Sequence, residues 1–145
     1  MFNHESYLRS ANFFMKKVLT EAIKIKKGQS TGLLVGNIDI KRDFGYAPFY
    51  VEGMYLMMQS GRPGDFILCS GQSMSLRNII EYVFRKLEIE NSRYRVNSEL
   101  YRPADIDDIF GNSDKARREL GWNYLLSGEE LLDKLLEEEL LNWKN

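Results

Sequence analysis

Three short polar clusters hold most of the side chains that could do chemistry. Asn3, His4, Glu5 and Ser6 (NHES) stand together near the first residue, with Arg9 shortly after. Residues 41–45 (KRDFG) follow a strand-like run, and residues 101–107 (YRPADID) place Arg102 before a proline and Asp105 after it. His4 is the chain's one histidine, and imidazole is the side chain best suited to proton transfer near neutral pH. Such a role needs an orienting partner and a nearby nucleophile or substrate proton, and nothing in this chain supplies them. The arginines suit a different task. A guanidinium held at a strand end or a rigid turn binds phosphate or carboxylate in bidentate fashion. Lys16 and Lys17 add two cations near the start of a helix. Each of these signals also fits a structural role: Arg42-Asp43 as a surface pair, the Arg-Pro step as a turn, the two lysines as a solvated helix face.

The elements that must position these clusters alternate between helix-like and strand-like, which argues for an α/β or α+β domain. Residues 13–26 place Phe14, Val18, Ala22 and Ile25 on one face, with Gly28 as a fitting stop. Residues 32–36 (GLLVG) read as a short buried strand. Residues 47–59 read as a helix apolar enough to be largely buried. A turn cluster over 60–65 leads to a strand over 66–70 (FILCS), and Ser75 caps a helix running to about Leu87. A strand over 93–97, a short helix closed by Gly121, and a leucine-rich helix opened by the capping pair Ser127 and Glu130 complete the chain. Those leucines span too few heptads for a coiled coil and fit packing within the domain.

With 145 residues, 43% apolar and 28% charged, the chain fits one domain with a real core. A net charge of −1 provides no field for nucleic acid or an anionic membrane, so neither is expected as a partner. The longest apolar runs fall far short of the ~20 residues of a membrane helix. Cys69 is the one cysteine and reads as a buried, inert thiol. One His and one Cys, far apart, give no metal-ligand spacing. All of this suits the cytoplasm.

Taken in order, the clusters carry more than they do singly. The chain resembles the C-terminal part of the extended short-chain dehydrogenase/reductases, in particular the GDP-mannose 4,6-dehydratase branch. NHES, the helix FFMKKVLTEAIKIKKG, the stretch LLVGNIDIKRDFGYA, the lead GQSMSLRNIIE and the pair YRPADID and GNSDKARRELGW run in that family's order. NHES and KRDFG point to the branch, whereas RPAD and KARRELGW fix only the superfamily. Three places depart from its pattern: Tyr7-Leu8 stand for a Pro-Arg pair, Pro48-Phe49 for Lys-Asp, and Asp105 for glutamate.

The resemblance implies a C-terminal substrate-binding lobe, with residues 1–145 as a single domain and the N-terminal Rossmann part missing. It implies an internal redox reaction in which NADP takes a hydride from the sugar, water leaves, and the hydride returns. The groups that carry this chemistry in the family find no match here, so no catalytic residue is assigned. His4 and Arg9 match positions that contact NADP. Asn3, Lys17, Arg42, Arg102 and Asp105 match positions that contact GDP-mannose or a related sugar nucleotide. Three expectations follow. The chain supplies substrate binding to a dehydratase whose catalytic half lies on a separate chain; or it is a non-catalytic sugar-nucleotide binder or interaction module; or it belongs to a related reductase or epimerase. Apolar surface left uncovered is expected to produce a homo-oligomer.

Overall fold

The computed structural model describes residues 1–61, 63–101 and 104–143. In chain order the elements are β1 (Asn3–Glu5), α1 (Phe14–Lys26), β2 (Leu33–Val35), β3 (Lys41–Tyr46), α2 (Ala47–Gln59), β4 (Ser73–Ser75), α3 (Leu76–Lys86), β5 (Tyr94–Val96), β6 (Asp108–Ile109), α4 (Asp114–Leu120) and α5 (Gly128–Leu141). This is a mixed α/β fold with two small sheets.

Strand β3 organises the larger sheet. Its C-terminal half runs parallel to β1, with Asn3 opposite Phe44 and Glu5 opposite Tyr46. Its N-terminal half lies between antiparallel β4 and parallel β6, so that Arg42 has Met74 on one side and Ile109 on the other. The smaller sheet pairs β2 with β5 in parallel. The ends of all three polar clusters therefore converge on one six-residue strand.

Helix α1 buries Met15, Val18, Leu19, Ala22 and Ile23, a stripe recurring at three and four residues that faces α3 and α5. It ends in a Schellman motif: Gly28 N–H donates to the Ile25 carbonyl, and Gln29 N–H to that of Lys24. Gly28 takes φ +70°, which a side chain would strain. Ser75 caps α3 through the Asn78 N–H, and Ser127 with Glu130 closes the expected capping box on α5. Leu131, Leu132, Leu135 and Leu136 of α5 are buried in the main core, while Leu140 and Leu141 are exposed. A second, smaller core joins Tyr50, Leu68, Ala116 and Trp122. There the Trp122 indole donates to the Phe49 carbonyl at 2.7 Å.

Two sequence expectations are corrected. Residues 66–70 form no ladder strand. Leu68 and Cys69 are buried, but the link of this segment to β1 is a single bond from Phe2 N–H to the Leu68 carbonyl, at 3.0 Å. A strand needs a run of such bonds. Helix α2 is not largely buried either. Only Tyr50 and Gly53 are enclosed, whereas Val51 is 61% and Met58 80% exposed. The helix is apolar nearly all round, yet the domain packs against one side of it. No described helix is long and apolar enough to cross a membrane.

Candidate functional site

Alternation along β1 sorts the first cluster. Successive side chains of a strand point to opposite faces, so Asn3 and Glu5 share one face and His4 takes the other. Asn3 donates to the Asp43 carbonyl across the ladder at 3.0 Å. Glu5 is 3% exposed. The chain then turns back, with Arg9 N–H bonded to the Ser6 carbonyl, and this brings the Arg9 guanidinium to 3.7 Å from the Glu5 carboxyl. The same guanidinium lies over the Phe13 ring, 3.6 Å from its centre. At 3.7 Å the Glu5–Arg9 contact is an ion pair but not a hydrogen bond. Glu5 Oε2 and Arg9 Nε are accordingly both buried without a hydrogen-bond partner. Burial pushes the Glu5 carboxyl up to about 7, and the positive charge of Arg9 offsets only part of that rise.

Arg42 stands across from this pair. Its Nη1 donates to the carbonyls of Lys41 and Ile106, each at 2.6 Å, and its Nη2 lies 3.4 Å from Asp105 Oδ1. The two side chains are 18% and 17% exposed. Between the walls runs a groove of about 390 Å³, lined by Asn3, Glu5, Arg9, Asn12, Arg42 and Asp105 among polar residues and by Phe13, Phe14, Phe44 and Leu100 among apolar ones. Gly36 and Asn37 also line it. The space that a Cβ would take at Gly36 is already filled by the Leu100 carbonyl, at 2.7 Å.

The second face of β3 is structural. Asp43, next to Arg42, points away from the groove and is fully buried. Its Oδ1 accepts from the Ser70 N–H (2.9 Å) and hydroxyl (2.7 Å), and its Oδ2 from the N–H groups of Gly71 (2.9 Å) and Gly111 (3.2 Å). One carboxylate thus ties β3 to two loops. Gly45 is required by close packing: a Cβ there would meet the Tyr50 ring at 2.3–2.8 Å.

Of the residues singled out from the sequence, the fold gathers Asn3, Arg9, Arg42 and Asp105 around one groove. His4 lies apart from it. Its Nδ1–H donates to the Phe2 carbonyl at 3.1 Å and its ring sits 5.8 Å from that of Tyr50. Lys17 also lies apart and donates to the Leu34 carbonyl at 2.6 Å, tying α1 to β2. Arg102 falls outside the described residues. By residue type Glu5 stands within NHES but carries no assigned role, and Asn12 is not singled out. Glu5 carried one usable signal, an arginine four positions on, but only the fold reveals that this carboxyl is buried.

The family model described as GDP-mannose 4,6 dehydratase matches residues 1–135. The GDP-mannose 4,6-dehydratase of Sinorhizobium fredii is 34% identical over 97% of this chain and 45% of its own length. The Homo sapiens enzyme is 34% identical over 97% of this chain and 42% of its own, and that of Drosophila melanogaster 32% over 97% and 40%. The chain therefore spans less than half the length of these relatives. In fold it superposes on RMD from Pseudomonas aeruginosa, solved with NADPH, with a TM-score of 0.83 at 22% identity, covering 94% of this chain and 45% of that one. It superposes as well, at 0.83 and 17% identity, on the dTDP-glucose 4,6-dehydratase DesIV from Streptomyces venezuelae, covering 97% and 42%. A family match over residues 1–135, with relatives 34% identical over 97% of the chain, places this chain in the GDP-mannose 4,6-dehydratase family.

Proposed function

We propose that residues 1–145 form the sugar-nucleotide-binding part of an enzyme that converts GDP-mannose to GDP-4-keto-6-deoxymannose, and that the catalytic groups act from a partner region outside them. One observation carries this reading: three clusters distant in sequence bring Arg9, Arg42, Asn3 and Asp105 to a single groove. A pyrophosphate bears two negative charges and needs convergent cations and donors. Arg42 with Asn3 supplies them for the sugar nucleotide, and Arg9, which family position gives to the cofactor, adds a cation to the same groove. Asp105 is suited to a ribose or sugar hydroxyl, and it holds Arg42 in place meanwhile. Arg102 and Lys17 belong to the same proposed substrate set by family position.

The family also implies NADP, and the residues present fit one edge of it. Arg9 Nε and Glu5 Oε2 are buried polar atoms without hydrogen-bond partners, suited to a cofactor phosphate and a ribose hydroxyl respectively. His4 would contact the cofactor through Nε2, since Nδ1 is held by the Phe2 carbonyl. When bound, the nicotinamide supplies a hydride acceptor; this chain's own groups bind and orient. Calorimetric titration with GDP-mannose tests the binding role, and co-expression with the catalytic half of a relative tests the activity. Binding with restored conversion supports the proposal. Absence of conversion in every pairing overturns the enzymatic part.

A second reading, a non-catalytic binder that self-associates, draws on the exposed apolar strip of α2 formed by Val51, Tyr55 and Met58. Sugar-nucleotide binding by an oligomer, without turnover in any pairing, would favour it. Light scattering after size-exclusion chromatography reads the oligomeric state.

A further inference from the structure

Glu5 lines the groove, and its setting there is unusual. It sits at the end of β1, enclosed by β3 on one side and the turn to Arg9 on the other. Its Oε2 faces Arg9 Nε at 3.7 Å, and neither atom has a hydrogen-bond partner. The Arg9 side chain makes no hydrogen bond among the described residues. It is held between this carboxyl and the Phe13 ring. We propose that Glu5 is a positioning residue that pins the Arg9 guanidinium at the groove wall, and that it releases Arg9 to an anionic ligand by taking up a proton. This deepens the sugar-nucleotide reading and rests on it for the identity of the natural ligand.

The physics is a competition for one cation. When Glu5 is ionised, it neutralises Arg9, and an approaching phosphate meets a carboxylate in a water-poor corner where like charges repel strongly. When Glu5 is protonated, Arg9 keeps its charge and the carboxyl offers a hydrogen-bond donor besides. The other charged and titratable groups on the elements packed around Glu5 have partners of their own. Arg42 is held by Asp105 and the Ile106 carbonyl. Tyr46, opposite Glu5 on β3, is hydrogen-bonded to Glu138 of α5, and Lys16 of α1 to Glu139. Arg9 is the charge that acts on Glu5. Because the carboxyl titrates near neutrality, the exchange occurs in an accessible pH range.

The test uses the full chain and sulfate, which stays doubly charged from pH 5 to pH 9. Binding is followed at the Arg9 Nε–H resonance. The affinity of the natural protein is expected to fall about tenfold from pH 6 to pH 8, the change given by one group titrating near 7. Glu5→Gln, neutral and of the same shape, should hold the tight-binding value across the range. An equal pH dependence in both proteins, or no sulfate response at Arg9 at any pH, overturns the proposal. If Glu5→Gln does not fold, the side-chain carboxyl shift of Glu5 in the natural protein decides. Sulfate should raise its titration midpoint, and an unmoved midpoint overturns the idea. GDP-mannose, whose diphosphate does not titrate in this range, is then titrated alongside. Sulfate behaving as expected while GDP-mannose fails to bind would leave the role of Glu5 standing and defeat only the sugar-nucleotide reading.

Discussion

Asp43→Asn is a change of one atom in a buried carboxylate, and it separates scaffold from site within a single motif. In the natural chain Asp43 accepts four hydrogen bonds, two on each oxygen. Asparagine keeps one oxygen. If that oxygen stays on the Ser70 side, the new NH₂ faces the N–H groups of Gly71 and Gly111, donor against donor. Both amides then lie without acceptors, at about 1–3 kcal/mol each, so the loss is about 2–6 kcal/mol. The total stability of a domain of this size is about 5–15 kcal/mol. Urea denaturation followed by circular dichroism measures the difference at constant slope. The neighbouring Arg42→Gln is the control. Its ion pair with Asp105 and its bonds to the Lys41 and Ile106 carbonyls lie at the groove, and their loss should cost about 1–3 kcal/mol, less than the change at Asp43. The same change should weaken GDP-mannose about 10- to 100-fold, the value of one or two charge-assisted hydrogen bonds. A loss below about 1 kcal/mol in Asp43→Asn would refute the bracing role. Equal destabilisation by both changes would refute the division of the motif.

Trp122→Ala removes the centre of the smaller core and its bond to Phe49, and should cost about 3–5 kcal/mol by denaturant unfolding. Glu5 should give stability a distinct pH profile. Its folded-state value lies near 7, above the unfolded value of 4.5, so the folded chain holds a proton that the unfolded chain has released. Stability therefore falls as pH rises from about 4.5 to about 7 and levels off above, by at most about 3 kcal/mol, and Glu5→Gln should remove this slope. Replacing Val51, Tyr55 and Met58 with glutamate should abolish any self-association of the isolated chain in light scattering and leave its melting temperature nearly unchanged, because all three are exposed.

Most of the helices were legible because their signals are local. The stripe of α1, the glycine after it, the Ser75 cap and the Ser127–Glu130 box need only neighbours in sequence to be read and to form. The segment 66–70 was misread because its residues have strand character but a strand is completed by its neighbours, and here it meets one bond from Phe2. Helix α2 was misread because composition reports how apolar a helix is, not how many sides are covered. At the site, the arginines were legible by type. Glu5 was not, since nothing in the letters NHES distinguishes a solvated carboxyl from one that is 3% exposed. Family order singled out His4 together with Asn3, and the strand then separated them.

That separation follows from a period of two. Along β1, Asn3 and Glu5 face the groove while His4 turns to Tyr50; along β3, Arg42 faces the groove while Asp43 turns to the loops at Ser70 and Gly111. Because β1 and β3 are in register, Asn3 is fixed to the Asp43 carbonyl and the polar faces of both strands coincide. A slip of one residue in β3 would exchange its two sets. It would bury Arg42 without an acceptor and expose Asp43, leaving three backbone N–H groups unsatisfied. The Asp43 network thus fixes the register that places Arg42, so Asp43→Asn is expected to lower GDP-mannose affinity along with stability, whereas Arg42→Gln acts chiefly on affinity. Suppressors of Asp43→Asn are accordingly expected to lie in the loops around Ser70 and Gly111, and to restore GDP-mannose affinity together with stability. Recovery of stability without affinity would show that register and site are set independently.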